Sequence, residues 1–353
     1  MKKRRLKKSD AVLALAALSF ATSCAQPPVD QVVVYVSTDP HVAQPILDQF
    51  TVETGIDVVL VGDTEAKKTT GLVERLRMER DRPVADVFWS SEAMQTISLA
   101  AEGVLAPHED DRFADWPSEF RDAQGRWYGF SPRPRVLVYH ADRFDPEDVP
   151  ATWEGALDAR WNGRVVLADP RFGTTGGHLG AMLAAWTAQS TPERFDALVD
   201  GLAANGATML PGGNAAVVDA VLRGEADLGF TDADDVRAAQ LRGLPVAMIH
   251  ARHEVDGDGG GTFLMPNTVS IVHGAPHREH AERLLAYLLS DDVARALAES
   301  ESGNTPLQPL VAKEFPDLAV ADPLKVDLIA ASACREVAVD RLLRALRTAS
   351  DRP

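Results

Sequence analysis

The sequence predicts an α/β protein with two lobes, in which mostly parallel sheets carry helices on their faces. Its 353 residues exceed the usual size of one domain, so two lobes are expected. Hydrophobic residues make up 45% of the chain and charged residues 25%, which is the composition of a globular protein. Short apolar runs rich in β-branched residues alternate with longer segments of helical period, a pattern typical of a mostly parallel sheet covered by helices.

This alternation assigns the elements in order. Strands are predicted at VVVYVS (32–37), DVVLVG (57–62), ADVFW (85–89), RVLVYH (135–140), RVVLAD (164–169), ATML (207–210), ADLGFTD (226–232), PVAMIH (245–250) and NTVSIVHG (267–274). Helices are predicted at 42–55, 65–80, 92–105, 177–189 and 214–226, as a helix that begins at the end of TDADD (231–235), as a pair within 277–300, and as one long amphipathic helix at 323–349. Ligands of such sheets bind beyond the carboxyl ends of the strands, near helix N-termini, so polar residues at those ends form the candidate site.

Residues 1–23 have the layout of a bacterial export signal, with six basic residues followed by an apolar run. The small residues before Cys24 resemble a lipobox, so we expect a lipidated cysteine at the mature N-terminus. Ala21 stands where a Leu is usual, which leaves simple cleavage or an unprocessed helix open. Residues 24–31 are predicted to be a linker. Cys334 is the other cysteine, which excludes an internal disulfide framework and favours a small buried hydrophobic role.

The charge of the chain limits its partners. Removal of the export signal takes away six basic residues and Asp10, so the formal net charge falls from −16 to −21. We do not expect this acidic chain to bind nucleic acid, because phosphates require a basic surface. An acidic surface suits a cationic ligand, although it is also explained by solubility alone.

Two polar clusters follow the first and third predicted strands. Ser37, Thr38 and Asp39 precede the first helix, and Ser91 and Glu92 precede the third. Asp39 and Glu92 are candidate ligands for a cation. Each also suits a helix cap or first turn, because carboxylates accept hydrogen bonds from the free N–H groups there. Both interpretations stay open.

Two further clusters suit a negatively charged group. The first comprises Thr174, Thr175, Gly176 and Gly177 at the start of a predicted helix, where N–H and hydroxyl groups can hold an anion. No lysine follows the glycines, so this is not a Walker loop, and a plain glycine-rich turn is the alternative. Arg133 and Arg135 lie two apart on one strand face and could clamp a carboxylate or phosphate. A surface salt bridge is the alternative.

The most unusual cluster is TDADD, residues 231–235. Asp232, Asp234 and Asp235 repel one another unless they are solvated or neutralised. A bound cation would offset that repulsion, and oxygen ligands suit hard ions such as iron(III), calcium, magnesium or manganese(II). A solvated acidic turn, with one aspartate as a helix cap, is the alternative.

No catalytic motif is present. The chain lacks a G-x-S-x-G elbow, an H-E-x-x-H helix and a paired-cysteine metal motif, so no enzyme activity is expected. His250, His253, His277 and His280 have spacings that could bind a metal, but we expect them on the surface. An exported hydrolase with paired carboxylates stays the enzymatic alternative.

Four segments occur in the order and approximate spacing of one known family. They are VVVYVSTDPHVAQPILDQFTVETGIDV (32–58), ADVFWSSEAMQTISLAAEGVLAP (85–107), GFSPRPRVLVYH (129–140) and NAAVVDAVLRGEADLGFTDADD (214–235). Over nearly all of the mature chain, the sequence resembles the solute-binding proteins of ABC importers, specifically the iron(III)-binding branch with the type II periplasmic-binding-protein fold. The resemblance implies two lobes with mixed, mostly parallel sheets and a ligand cleft between them. Lobe 1 would hold 30–134 and 267–353, and lobe 2 would hold 135–266.

The resemblance also implies roles for individual residues. In this branch a His often stands at the position of Asp39, a Glu lies in the turn of Ser91 and Glu92, and a Tyr pair occupies positions 234 and 235. The positions that would hold a companion anion or support the ligands are Ser37, Thr38, Ser91, Arg133, Arg135, Thr174, Thr175, Gly176, Gly177, Asn214 and Asp232. The phenolates are missing here. The expected ligands are Asp39, Glu92, Asp234 and Asp235, since carboxylates are also hard donors.

The expected function is therefore capture of a hard cation such as iron(III), with or without a synergistic anion, for an ABC permease of the inner membrane. We expect a monomeric lipoprotein of the periplasm or cell envelope that is anchored at Cys24 and needs no catalytic cofactor. An organic ligand is the alternative cargo: an aminophosphonate, a sugar phosphate or a polyamine.

Overall fold

The computed structural model describes residues 30–63, 69–254 and 258–350. The predicted export signal, Cys24 and the linker up to residue 29 lie outside the described residues. Among the described helices, none combines the length and apolar character needed to cross a membrane.

The predicted alternation of strands and helices is confirmed. The strands are β1 (Gln31–Val36), β2 (Asp57–Gly62), β3 (Val87–Ser90), β4 (Leu105–Ala106), β5 (Tyr128–His140), β6 (Val165–Ala168), β7 (Thr208–Leu210), β8 (Leu228–Asp232), β9 (Val246–Ile249) and β10 (Leu264–Val272). The helices are α1 (Pro40–Thr54), α2 (Thr70–Met78), α3 (Ala93–Ala101), α4 (Gly173–Ala188), α5 (Glu193–Ala204), α6 (Gly213–Leu222), α7 (Ala233–Leu241), α8 (Arg278–Leu288), α9 (Asp291–Glu299), α10 (Pro309–Ala312) and α11 (Leu328–Ser350). Of these, β4, α5 and α10 are not among the predicted elements.

Helix boundaries follow local chemistry. The first helix, α1, begins with Pro40, whose fixed φ and missing N–H suit the first helical position. It ends at Gly55, which has a φ of 71° and so adopts the left-handed conformation that closes many helices. Both signals are visible in the sequence.

The sheet is mixed, as predicted, and runs in the order β2-β1-β3-β10-β5-β8-β6-β7, with β4 on β10 and β9 on β5. β1 is parallel to β2 and β3, and β6 is parallel to β7 and β8. The long strands β5 and β10 run antiparallel to their neighbours. The result is an α/β architecture with helices on the faces of the sheet.

One strand, β5, connects the two halves of this sheet. Its first part pairs with β10, and its second part, from Arg135 onward, pairs with β8 and β9. We call β1–β4, β10 and the first part of β5 the first half, and the rest the second half. β5 changes its partner after Pro134, so Arg133 and Arg135 lie on either side of the junction.

β5 begins at Tyr128, seven residues before the predicted start. This part of the strand was not predicted because it contains Pro132 and Pro134. Proline cannot donate to a sheet ladder and normally argues against a strand. The structure accommodates Pro132 where the register with β10 shifts, between Met265 and Asn267, and Pro134, opposite Leu264, where β5 is about to change its partner. Ser131, with a φ of 38°, lies in the same irregular region.

The C-terminal helix α11 packs against both halves. Near its start, Leu328 and Ala331 join a core cluster that contains residues of β1, β3 and α3. Further along, Ala338 and Leu342 join the core of the second half. The predicted division assigned 267–353 to lobe 1, whereas this helix contributes to both cores. Cys334, expected to be buried, is half-buried between them, and burial raises the pKa of its thiol.

Candidate ligand cavity between the two halves of the sheet

A cavity of about 120 Å³ lies where the strand ends of the two halves face each other. The first half contributes Asp39 and Ser91 to its wall. The second half contributes Asp169, Phe172, Gly173, Thr174, Thr175, Asn214, Asp232, Asp234 and Asp235, and Arg133 lies at the junction. Acidic residues that are nearly 200 positions apart in the sequence thus share one cavity.

Asp232 accepts hydrogen bonds from four different residues. Its Oδ1 accepts from Arg135 Nη1 at 2.7 Å, and its Oδ2 accepts from Thr174 Oγ1 at 2.7 Å, Asn214 Nδ2 at 2.9 Å and Arg133 Nε at 3.2 Å. Burial alone would raise the pKa of Asp232, but Arg135 and Arg133 outweigh it and lower the pKa. The residue is therefore a carboxylate with four donors around it.

Asp234 and Asp235 continue the acidic cluster into the first turn of α7. Carboxylate oxygens of Asp232, Asp234 and Asp235 lie within 4.8 Å of one another, a spacing that could hold a metal ion. Arg133 Nε is 3.2 Å from Asp234 Oδ2. Burial opposes the charge of Arg133, yet Asp234 and Asp232 outweigh it, so the pKa of this guanidinium is raised.

Arg133 also connects the two halves of the sheet. Its Nη2 donates to the backbone carbonyl of Ser91 at 2.7 Å, while its Nε faces Asp232 and Asp234. Only 5% of this residue is exposed. Of the two roles predicted for the arginines, the structure shows the clamp on acidic residues of the site and not a surface salt bridge.

Asp39 stands at the start of α1 and faces the same cavity. Its position is that of an N-cap, but its side chain makes no capping hydrogen bond to the helix. Neighbouring polar residues brace the strand ends: Ser91 N donates to Ser37 Oγ at 2.8 Å, and Thr38 Oγ1 donates to Asn267 Oδ1 at 3.3 Å. Ser37 and Thr38 therefore support the cavity from behind.

The structure corrects the expected ligand role of Glu92. This residue is fully buried and caps α3, with its carboxylate accepting from Met94 N at 3.0 Å and Gln95 N at 2.9 Å. Burial raises the pKa of its carboxyl. It does not contribute to the wall of the cavity. The capping interpretation, open from the sequence, is the one that the structure shows.

The glycines at the start of α4 are explained by packing. A Cβ at Gly176 would lie 2.2 Å from the carbonyl oxygen of Pro170, and one at Gly177 would lie 2.3 Å from Glu92 Oε1. Neither position tolerates a side chain, and neither glycine is part of the cavity wall. Thr174 and Thr175 do line it, but the hydroxyl of Thr174 is bonded to Asp232. The expected anion site is thus reduced to the first turn of α4.

Sequence reasoning missed Asp169 and its partner Arg171. Asp169 follows β6 and lines the cavity, where it accepts two hydrogen bonds from Arg171 Nε at 2.9 and 3.1 Å. The available signal was its position at the carboxyl end of a predicted strand. In this segment only the later Thr-Thr-Gly-Gly run was predicted to belong to the site.

Two buried histidines behind the cavity were also missed as site residues. His253, expected on the surface, is 1% exposed, and His178 is 2% exposed. Their Nε2 atoms are 3.0 Å apart. Burial lowers the pKa of His178 well below its ordinary value and lowers the pKa of His253 to about 4. Both imidazoles are therefore neutral at pH 7.

We predict that this histidine pair makes the folded protein less stable in acid. On unfolding, His253 regains its ordinary pKa near 6.5, so between pH 6.5 and about 4 the unfolded chain binds more protons than the native chain. Stability is then lost as the pH falls. Between pH 7 and pH 5, we expect His253 to account for about 2 kcal/mol of that loss. Urea unfolding of the wild type and of His253→Gln at both pH values measures this contribution. Equal losses in the two proteins would contradict it.

Comparisons with known proteins identify the family. The family description "bacterial extracellular solute-binding protein" matches residues 46–324. The iron uptake protein A1 of Synechocystis sp. is 26% identical over 263 residues, covering 71% of this chain and 69% of that protein. The major ferric iron-binding protein of Neisseria meningitidis serogroup A is 25% identical over 307 residues, covering 85% of this chain and 88% of that protein.

A solved structure gives the same fold. The ferric binding protein from Campylobacter jejuni has a TM-score of 0.76 and 18% sequence identity, covering 89% of this chain and 99% of its own. At this identity the likeness supports the fold alone. The family match spans most of the chain, and the cavity lies where such a fold binds its ligand. The chain belongs to the bacterial extracellular solute-binding protein family.

Proposed function

We propose that this protein captures iron(III), or another hard cation, in the cavity and delivers it to the permease of an ABC importer. One observation carries the proposal: carboxylates from both halves of the sheet, Asp39 on one side and Asp234 with Asp235 on the other, line the same small cavity. The names of the sequence relatives, an iron uptake protein and a ferric iron-binding protein, support iron as the cargo.

The charges of the cavity favour a cation. Its carboxylates are Asp39, Asp169, Asp232, Asp234 and Asp235, and the guanidiniums among or beside them are Arg133, Arg135 and Arg171. Five negative groups against three positive groups leave a formal charge of −2. A polyvalent cation between the two halves would offset this excess and draw the halves together.

The donors suit a hard ion. None of the chain's four tyrosines, all within the described residues, lines the cavity. The cargo would therefore be held by carboxylate oxygens, which are ligands that iron(III), calcium, magnesium and manganese(II) accept. We propose Asp39, Asp234 and Asp235 as the direct ligands.

Asp232 supplies a negative charge of its own where a companion anion was expected. Arg135, Thr174 and Asn214, which we expected to hold such an anion, all bind Asp232. A companion anion would instead meet the N–H groups of the first turn of α4, which have no intrahelical acceptors. Cargo binding should therefore depend weakly on added carbonate or phosphate.

The proposal is tested with the purified protein and ferric citrate. A ligand that binds only the native state at 100 times its Kd stabilises it by about 2.7 kcal/mol, so the melting temperature should rise with ferric citrate but not with citrate alone. Metal analysis and native mass spectrometry of the same sample would identify co-purified cargo. If neither iron(III) nor calcium, magnesium or manganese(II) raised the melting temperature, the cation proposal would fall.

The ferric complex should also lack a phenolate band. Iron(III) bound to tyrosinate absorbs visible light by charge transfer, whereas carboxylate ligands leave that region weak. Absorption spectra of the wild type and of the double variant Asp234→Tyr/Asp235→Tyr, each with one equivalent of iron(III), make the comparison. We expect a visible band in the variant alone. A strong visible band in the wild type would exclude an all-carboxylate site.

A second candidate cargo is a small organic ligand that combines an amine with a phosphate or phosphonate. The observation in its favour is the apolar part of the cavity wall, formed by Phe172, Ala168 and Pro211, beside the start of α4. The same melting assay with 2-aminoethylphosphonate, a sugar phosphate and a polyamine distinguishes the candidates. Stabilisation by one of these and not by metal ions would favour the organic cargo.

The remaining features of the proposal concern the cell envelope. The names of the relatives describe uptake and binding proteins, and we propose that this chain likewise captures its cargo without chemistry of its own. We propose a periplasmic or envelope location, a monomer, and an anchor at Cys24, which lies outside the described residues. Labelling with a radioactive fatty acid, compared between the wild type and Cys24→Ala, tests the anchor.

A further inference from the structure

A chain of buried hydrogen bonds leads from the cavity to the segment before β10. Arg135, which binds Asp232, has its Nε 3.4 Å from His178 Nδ1. His178 Nε2 is 3.0 Å from His253 Nε2, and His253 Nδ1 is 2.7 Å from the carbonyl oxygen of Gly261. We propose that His178 and His253 are positioning residues that hold Arg135, and through it Asp232, in the orientation that cargo binding requires. This inference rests on the proposed function.

The donor and acceptor of each hydrogen bond in this series follow from the groups at its two ends. Arg135 can only donate, so His178 Nδ1 is the acceptor and the proton of His178 lies on Nε2. That proton is donated to His253 Nε2, which leaves the proton of His253 on Nδ1. The carbonyl of Gly261 can only accept, and it receives this proton. One pair of tautomers therefore satisfies every ring nitrogen, and both rings are neutral.

Aromatic side chains among the described residues surround the two histidines. Trp153 contacts the ring of His178 with centroids 4.5 Å apart, and Phe263 stacks on it at 5.7 Å. Both histidines are almost completely buried. A buried donor that loses its partner costs more than the bond contributed, since water cannot replace the partner.

Arg135 depends on this support because the other contacts of its side chain all belong to the cavity. Its Nη1 reaches Asp232, Thr174 and Asn214, and its Nη2 lies 3.5 Å from Thr175 Oγ1. Loss of the acceptor at Nε would leave a buried charged donor unsatisfied, and the guanidinium would turn to find another acceptor. Asp232 would turn with it and change the position of the negative charge beside Asp234.

Two substitutions at one position separate the two contacts of His178. In His178→Asn, the amide oxygen can occupy the place of Nδ1 and keep the acceptor for Arg135. In His178→Gln, the amide lies at the place of Nε2 and keeps only the contact with His253. We expect His178→Asn to bind ferric citrate within about threefold of the wild type and His178→Gln to bind at least about tenfold more weakly. Melting temperatures without ligand show how much each variant changes the fold.

Nitrogen NMR of the ligand-free protein supplies a readout that a merely structural role would not move. Histidines labelled with 15N should show His178 protonated on Nε2 and His253 on Nδ1 at pH 7. If the variants at position 178 do not fold, His253→Leu removes the acceptor of His178. In that variant the Nε2 proton of His178 has no acceptor, so we expect the ring to leave its position beside Arg135 and ferric citrate affinity to fall at least about fivefold.

The outcomes distinguish this inference from the proposed function. Equal affinities of His178→Asn and His178→Gln, or the opposite tautomers in the NMR spectra, would overturn the positioning role while iron binding stands. If the wild type binds no ferric citrate, the proposed function fails. The tautomers and the effect of the same variants on whichever ligand raises the melting temperature then decide the positioning role.

Discussion

Replacement of Asp234 and Asp235 together by asparagine is expected to weaken ferric citrate binding by at least about 100-fold. These two residues supply carboxylates in the first turn of α7 that, with Asp232, come within 4.8 Å of one another. An amide keeps the shape of each side chain but removes its charge, so the attraction for a cation falls while the packing is retained. Isothermal titration calorimetry with ferric citrate, and with citrate alone as the blank, measures the loss.

A charge-matched control separates a local effect from a general one. The double variant Asp48→Asn/Asp200→Asn removes the same two charges from exposed positions of α1 and α5. We expect it to bind within about twofold of the wild type, because exposed charges beyond a Debye length are screened. If both double variants lost affinity equally, binding would depend on net charge and not on this cavity.

The second large effect is expected for Asp232→Asn, which should destabilise the fold by about 3–5 kcal/mol. Every partner of Asp232 in the structure points a donor at it, including the buried guanidiniums of Arg133 and Arg135. An asparagine would present its own N–H₂ to those donors, would leave the buried guanidinium of Arg135 without its carboxylate, and would leave Arg133 with Asp234 alone. Urea unfolding at pH 7 measures the change in the free energy of unfolding.

The control for this prediction is Asp340→Asn, which breaks an exposed pair. Asp340 lies 3.7 Å from Arg344, and both side chains are 68% exposed. Removal of such a pair normally costs at most about 1 kcal/mol, since water replaces the lost partner. A similar small loss for Asp232→Asn would show that the buried network contributes little to stability and would remove the basis for treating Asp232 as the fixed charge of the cavity.

Much of the fold was predictable because its signals are local. The alternation of apolar β-branched runs with helical periods placed the strands and helices in order, and the helix predicted at 42–55 lies within two residues of α1 at each end. Where a signal depends on a neighbour in space, the prediction was incomplete. The first part of β5 was missed because Pro132 and Pro134 argue against a strand unless the partner strand shifts its register beside them, as β10 does.

The sequence predicted that Asp39, Asp234 and Asp235 share one site, because parallel strands bring their carboxyl ends to one edge. In the structure these three residues line the same cavity, but the hydrogen bonds within it were not predicted. The sequence left two roles open for Glu92, and burial beneath α3 selects the cap. It placed His253 on the surface, although the structure buries it against His178, 75 residues away.

By itself, the sequence determined the α/β class, the order of the elements, the resemblance to solute-binding proteins and the presence of an acidic cluster at the end of β8. These follow from periodicity, capping and motif order, which are properties of neighbouring residues. Only the tertiary structure decided that Asp232 faces Arg133 and Arg135, that Glu92 is not part of the cavity wall, and that His178 lies within hydrogen-bond distance of Arg135 and His253. Such contacts join residues that are 43 to 99 positions apart. The direction of each side chain is set by the packing of whole elements, which no local pattern encodes.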